Sequence, residues 1–126
     1  MIDHTGVSVS NADKSRKFYT EALAPLGYQL MVELPNEHTG GRAVVGYGVP
    51  PKPDFWTHEA TPKDKMHIAF RADAHAQVDA FYAAAIAAGG TDNGPPGPRP
   101  HYHESYYSAF VLDPDGHNIE AVCHTP

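Results

Sequence analysis

The first half of the chain shows a strand pattern, then a helix pattern, then further strand patterns. Residues 2–9 alternate between an apolar face with Val7 and Val9 and a second face that carries His4. The next segment has apolar residues at helical spacing and ends at Gly27; these residues are Phe18, Tyr19, Ala22, Leu23 and Leu26. Beyond it, the pattern predicts a polar turn at 36–41 and strands near 28–34, 42–48 and 54–58.

The second half follows the same plan. Residues 66–72 alternate, with Ile68 and Phe70 on one face and His67 on the other. Asp73 then precedes a helix pattern, for which it is the predicted N-cap, and the apolar positions are Val78, Phe81, Tyr82, Ala85 and Ile86. A loop rich in Gly and Pro at 92–100 leads to two strands near 106–112 and 118–124.

The chain also repeats itself when it is shifted by 63 residues (67 − 4), which places His4 on His67. The same shift superposes further identical residues, namely Phe18/Phe81, Tyr19/Tyr82, Ala22/Ala85, Ala24/Ala87 and Gly27/Gly90. Such a repeat is typical of two copies of one supersecondary unit. We therefore predict one α+β domain over residues 1–126. It is built from two βαβββ modules, about 1–62 and 63–126, which form a cup-shaped mixed sheet with the helices outside.

Composition narrows the function classes. The formal net charge is −6 with only 9 Lys plus Arg, which argues against nucleic acid or an anionic membrane as a partner. One cysteine cannot form an internal disulfide, and we find no signal-peptide pattern and no apolar run near the roughly 20 residues of a membrane span. These features predict a cytoplasmic protein. The 9 histidines are the compositional anomaly.

The alternation of side chains along the strands selects three candidate metal ligands. His4 and His67 lie opposite the apolar faces of the first strands in the two modules, and Glu120 lies opposite Ile119 and Ala121 in the last strand. Two imidazoles and one carboxylate on separate strands suit Fe, Mn, Ni, Co or Zn and leave coordination positions open for a substrate. A lone strand histidine is more often an ordinary polar side chain, but its duplication in the repeat favours a metal site.

Four segments stand out together: I-D-H-T-G-V-S-V at 2–9, F-Y at 18–19, H-I-A-F at 67–70 and L-D-P-D-G-H-N-I-E at 112–120. This set resembles the vicinal oxygen chelate superfamily, which includes glyoxalase I, extradiol dioxygenases, fosfomycin-resistance enzymes and bleomycin-binding proteins. The resemblance spans almost the whole chain. It implies a metal held by His4, His67 and Glu120, a small-molecule substrate with two vicinal oxygens, and a homodimer. In some members the ligands of one site come from two chains, and this sequence leaves that choice open.

The resemblance leaves the reaction open. Glyoxalase I uses a fourth ligand, where the shift of 63 places Thr57, with Glu59 two residues on as the alternative. The extradiol dioxygenase signature fits three ligands and implies that His103 acts in proton transfer near the metal. In that signature a tyrosine stands where this chain has Phe110. A neighbouring tyrosine could replace it; Tyr102 is the predicted catalytic residue, and Tyr106 and Tyr107 are the alternatives.

Other possibilities remain at this point. Fosfomycin-type chemistry needs a cationic cluster, for which only Arg42, Arg71 and Arg99 are candidates. A non-catalytic protein that sequesters a small molecule in a cup without metal is the alternative from a different class. The segment 99–107, with its histidines and tyrosines, is either a lid over the metal or a solvated loop. His117 is predicted to be a turn residue, and four histidines without a symmetry partner are predicted to lie on the surface: His38, His58, His75 and His124.

Overall fold

A computed structural model describes the backbone of residues 1–126 and every side chain except that at position 36. A 3₁₀ turn at Ala24–Leu26 follows the first helix. The other elements, in chain order, are β1 (Thr5–Val9), α1 (Ala12–Leu23), β2 (Gln29–Glu33), α2 (Asn36–Thr39), β3 (Val44–Gly48), β4 (Phe55–Glu59), β5 (His67–Arg71), α3 (His75–Ala87), β6 (Thr91–Asp92), β7 (Gly97–Pro98), β8 (Tyr107–Leu112) and β9 (Asn118–Cys123).

The strands form two mixed sheets, one from each half of the chain. The first has the order β1-β4-β3-β2, and the second has the order β5-β9-β8-β6 with β7 also paired to β8. In both, the first strand of the half runs parallel to the last, and the other pairs are antiparallel. The predicted α+β fold of two βαβββ modules is confirmed. One difference is that the predicted loop at 92–100 contributes two short strand pieces, β6 and β7, at the outer edge of the second sheet.

The two long helices begin differently. Asn11 caps α1, since its side-chain oxygen accepts a hydrogen bond from the Lys14 amide at 3.0 Å. The predicted cap at Asp73 is wrong, because Ala74 occupies the N-cap of α3 and makes no side-chain bond there. The Gln77 side chain instead accepts from the Asp73 amide at 2.6 Å. Within the described residues, no helix has the length and hydropathy that a membrane crossing would require.

One hydrophobic core joins the two modules. Phe18 on α1 and Phe81 on α3, which the repeat superposes, are both fully buried in it. The rings of Phe55 on β4 and Phe70 on β5 meet edge to face at 5.1 Å, so side chains from both sheets contact across the module boundary. Since the apolar faces of both sheets serve this core, the opposite faces remain for a binding site.

A buried histidine also ties the modules together. His117 is 1% exposed, and one ring nitrogen accepts from the Met66 amide at 3.0 Å. The other lies 2.8 Å from the carbonyl oxygen of Ser8, 109 residues away, to which it donates. His117 lies in the turn before β9, as predicted, but its burial and these two bonds were not predicted. Its burial comes from a contact with the other module, which local sequence does not show.

Candidate functional site

The clearest polar constellation lies on the face of the second sheet that points away from the core. Glu120 on β9 is 1% exposed, yet both of its oxygens are bonded. One lies 2.8 Å from Nε2 of His67 on β5, and the other accepts a short hydrogen bond from the Tyr106 hydroxyl. The register of the parallel pair explains the geometry, because His67 is opposite Asn118 and Ala69 is opposite Glu120. Neighbouring strands thus bring the imidazole and the carboxylate together on one face.

Tyr106 acts on this pair as a protonated phenol. Burial, and then its hydrogen bond to Glu120, raises the pKa of Tyr106 well above its usual value. At neutral pH the phenol therefore keeps its proton and donates a hydrogen bond to the carboxylate. The sequence predicts Tyr102 for this role with Tyr106 as an alternative, and in the structure it is Tyr106 that bonds to Glu120. Only the fold shows which tyrosine reaches Glu120.

The preferred candidates Tyr102 and His103 surround Tyr106. Tyr102 is 57% exposed and its ring meets that of Tyr106 edge to face at 4.9 Å. The His103 ring lies 5.2 Å from Tyr106 on another side. His103 Nε2 is also 2.8 Å from Nδ1 of His124, which lies on the surface as predicted. The segment before β8 is thus fastened to the Glu120 site through side chains at 102, 103 and 106.

His4 lies apart from this constellation. It precedes β1, and its Nδ1 is 2.7 Å from the carboxylate of Asp3. It lines a cavity on the first sheet, whereas His67 lines a different cavity that includes Asp3 and Arg71. In the part of the chain that the structure describes, no three His, Cys, Asp or Glu side chains converge in a group that could hold a metal ion. The chain alone thus joins two of the three predicted ligands and leaves the third elsewhere.

Neither sequence candidate for a fourth ligand occupies the position in module 1 that is equivalent to Glu120. In module 1 residue i of β1 pairs with residue i + 50 of β4, as in Gly6 with Trp56. In module 2 the corresponding offset is 51, as in Ala69 with Glu120. Since Gly6 and Ala69 are equivalent by the repeat, Trp56 is the structural counterpart of Glu120. Thr57 and Glu59 pair instead with Val7 and Val9 on the core-facing side, so neither occupies that position.

The comparisons with known proteins agree with this fold. A sequence profile of the Glyoxalase/Bleomycin resistance protein/Dioxygenase superfamily matches residues 1–121, so the chain belongs to that superfamily. A solved glyoxalase/bleomycin resistance protein from Albidiferax ferrireducens T118 is 30% identical, with a TM-score of 0.71 and 98% of both chains covered. No curated protein matches the sequence significantly.

Two more distant structures share the fold alone. A glyoxylase/bleomycin resistance protein/dioxygenase domain from Frankia sp. EAN1pec is 17% identical, with a TM-score of 0.73 over 99% of this chain and 98% of that one. Glyoxalase I from Zea mays is 23% identical with a TM-score of 0.68, and the match covers 96% of this chain but 43% of the maize chain. These comparisons show the superfamily of the chain and do not identify a reaction.

Proposed function

We propose that this protein is a metal-dependent enzyme of the vicinal oxygen chelate type, acting on a small substrate with two neighbouring oxygens. His4, His67 and Glu120 would hold the ion, and this ligand set suits Fe, Mn, Ni, Co or Zn. The observation that carries the proposal is the Glu120 carboxylate, which is buried on a sheet face beside an imidazole. Burying a carboxylate is costly unless it is paired or binds a cation. Glu120 is held in place by Tyr106 and lies beside an imidazole, and a carboxylate with an imidazole is a typical ligand pair of a divalent transition metal.

The residues around Glu120 fit that role. A bound ion would supply Lewis-acid stabilisation of negative charge on the substrate oxygens. Tyr106 fixes one carboxylate oxygen by its hydrogen bond, so the oxygen beside His67 is the one that would bind an ion. His103 and Tyr102 pack against Tyr106, where they are placed to contact a substrate or exchange a proton with it. With Trp56 in the fourth position, a coordination position stays open, which disfavours the four-ligand glyoxalase I arrangement.

We further propose that the three ligands meet across two chains. His4 and His67 line different cavities of one chain, and their side chains are 61% and 54% exposed. Each is therefore open to a second molecule. A dimer in which module 1 of one chain faces module 2 of the other would complete two equivalent sites by symmetry.

The separated ligands also favour a second candidate function. If they never converge, the protein would be a small-molecule binder that sequesters its ligand in a cup without metal. This candidate is supported by one observation: among the described side chains, no three potential metal ligands converge. Metal content discriminates the two functions.

Elemental analysis of untagged protein tests the proposal. We expect about one equivalent of a transition metal per chain in the wild type and almost none in Glu120→Ala, because two ligands do not retain a divalent ion through purification. Glu104→Ala, a change at an exposed glutamate of the nearby loop, is the control and should keep its metal. An absence of metal from the wild type, even after reconstitution, would leave the sequestering function.

Tyr106→Phe is expected to weaken metal binding by about 10- to 100-fold, because the outer hydrogen bond that orients the carboxylate is lost. A competition titration against a chelator of known affinity measures this change. Tyr102→Phe is the matched control, since it removes a hydroxyl from the exposed tyrosine that packs on the same ring. Equal affinities in the two variants would contradict the role given to Tyr106.

A further inference from the structure

An unusual aromatic residue lies on the face of the first sheet that points away from the core. Trp56 is only half-buried, whereas the other large aromatic residues of β3 and β4, Tyr47 and Phe55, are fully buried on the core side. It is also the single tryptophan of the chain. A single aromatic residue outside the core is ordinary, but a contiguous apolar surface is typical of a binding site, so the neighbours of Trp56 decide its meaning.

Gly46 makes room for the indole, and Gly6 allows the close approach of the Trp56 backbone. Trp56 pairs with Gly6 on β1 and with Gly46 on β3, so it has a glycine on each side in register. A Cβ at Gly46 would come within 2.8 Å of the six-membered part of the indole, which therefore lies directly over this glycine. A Cβ at Gly6 would come within 2.9 Å of the Trp56 carbonyl oxygen. The local sequence thus permits the ring to lie flat against the sheet.

The ring forms the floor of a cavity with a volume of about 390 Å³. Leu34 and Val44 continue the apolar lining, and Leu34 is 38% exposed. His4 and His58 also line this cavity, and His58 is held by the Ser8 hydroxyl at 3.0 Å. The cavity is large enough for a one- or two-ring molecule. Its lining joins a flat aromatic surface and aliphatic walls to one of the proposed metal ligands.

We propose that this cavity binds a flat aromatic ring of the ligand, stacked on Trp56. A flat indole gains more from a flat ring than from a puckered one, because offset stacking adds to the burial of apolar area. An aromatic ring here assigns an aromatic substrate to the proposed metal site. Only the chemistry that follows binding rests on that proposal. Ring binding itself involves module 1 and needs neither His67 nor Glu120.

Metal-free protein and a matched pair of probes test the inference. 2-Naphthol is flat, and decahydro-2-naphthol has the same carbon skeleton but is puckered. We expect calorimetry to show about three- to tenfold tighter binding of the flat probe. The single tryptophan gives one indole N–H signal in the NMR spectrum, and the flat probe should shift it. Equal affinities, or an indole signal that does not move, would overturn the inference.

Variants test whether the preference for the flat probe comes from the Trp56 indole. Trp56→Leu keeps an apolar side chain without a flat face and should abolish the preference for the flat probe, while Trp56→Phe should keep part of it. In Gly46→Ala the new methyl group displaces the indole, so its N–H signal should move and the preference should fall. Val49→Ala, at an exposed valine outside the cavity, is the control. A preference that survives in Trp56→Leu would also overturn the inference.

Two further results separate this inference from the proposed function. Glu120→Ala should lose metal yet keep the preference for the flat probe, since the carboxylate lies in module 2. Wild-type protein that takes up no metal even after reconstitution, yet prefers the flat probe, would refute the metalloenzyme and retain the ring site. The dimer proposed above brings a second chain to His4 on this same face. The indole signal is therefore first followed against protein concentration without probe, and the probes are compared at a concentration where that signal is constant.

Discussion

Replacing Asp113 with alanine is expected to lower the free energy of unfolding by about 3–5 kcal/mol. The carboxylate is 4% exposed and lies in the turn between β8 and β9. One oxygen accepts from the amides of Asp115 and His117 at 2.9 and 2.8 Å, and the other accepts from the Tyr19 hydroxyl of α1. The substitution leaves that buried hydroxyl and both amides without their acceptor. It also releases the turn that holds His117 against Ser8 in the other module.

Urea unfolding, followed by the fluorescence of Trp56, measures this change. Asp64→Ala, at an exposed aspartate in the loop before β5, should remain within about 0.5 kcal/mol of the wild type. Tyr19→Phe should have an intermediate effect, because it removes the buried hydroxyl together with its need for an acceptor while the turn keeps its amide bonds. If Asp113→Ala is as stable as the Asp64 control, the turn does not fasten the modules.

The elements that sequence predicted well are those determined by local periodicity. The shift of 63 superposed Phe18 on Phe81 and Ala22 on Ala85, and the structure buries all four in one core. Helix and strand periods in each half therefore identified the repeated unit and the faces that carry His67 and Glu120. The parity argument succeeded because side chains alternate strictly along a strand, whatever lies at its ends.

The errors occurred where the outcome depends on contacts distant in sequence. The shift of 63 holds for the first strands, but the first strand pairs with the last at an offset of 50 residues in module 1 and 51 in module 2. Trp56 rather than Thr57 therefore lies on the open face. Connecting loops absorb such a slip without leaving any local signal. The burial of His117 and the choice of Tyr106 over Tyr102 likewise follow from tertiary packing.

Mixing two inactive variants is expected to restore metal binding if the site forms across chains. His4→Ala removes the ligand of module 1, and Glu120→Ala removes a ligand of module 2, so each purified dimer alone should lack metal. In a heterodimer of the two, one site has the intact His4 of one chain and the intact His67 and Glu120 of the other. Random pairing makes half of the dimers mixed, so about a quarter of the wild-type metal should return.

A second mixture is the matched control. His67→Ala and Glu120→Ala both damage module 2, so no pairing of these chains yields an intact site and no metal should return. Co-expression followed by elemental analysis measures both mixtures under the same conditions. Metal in neither mixture, together with a metal-loaded wild type, would show that the three ligands converge within one chain. His4 would then have to move toward His67 when the ion binds, because the two side chains line separate cavities in this structure.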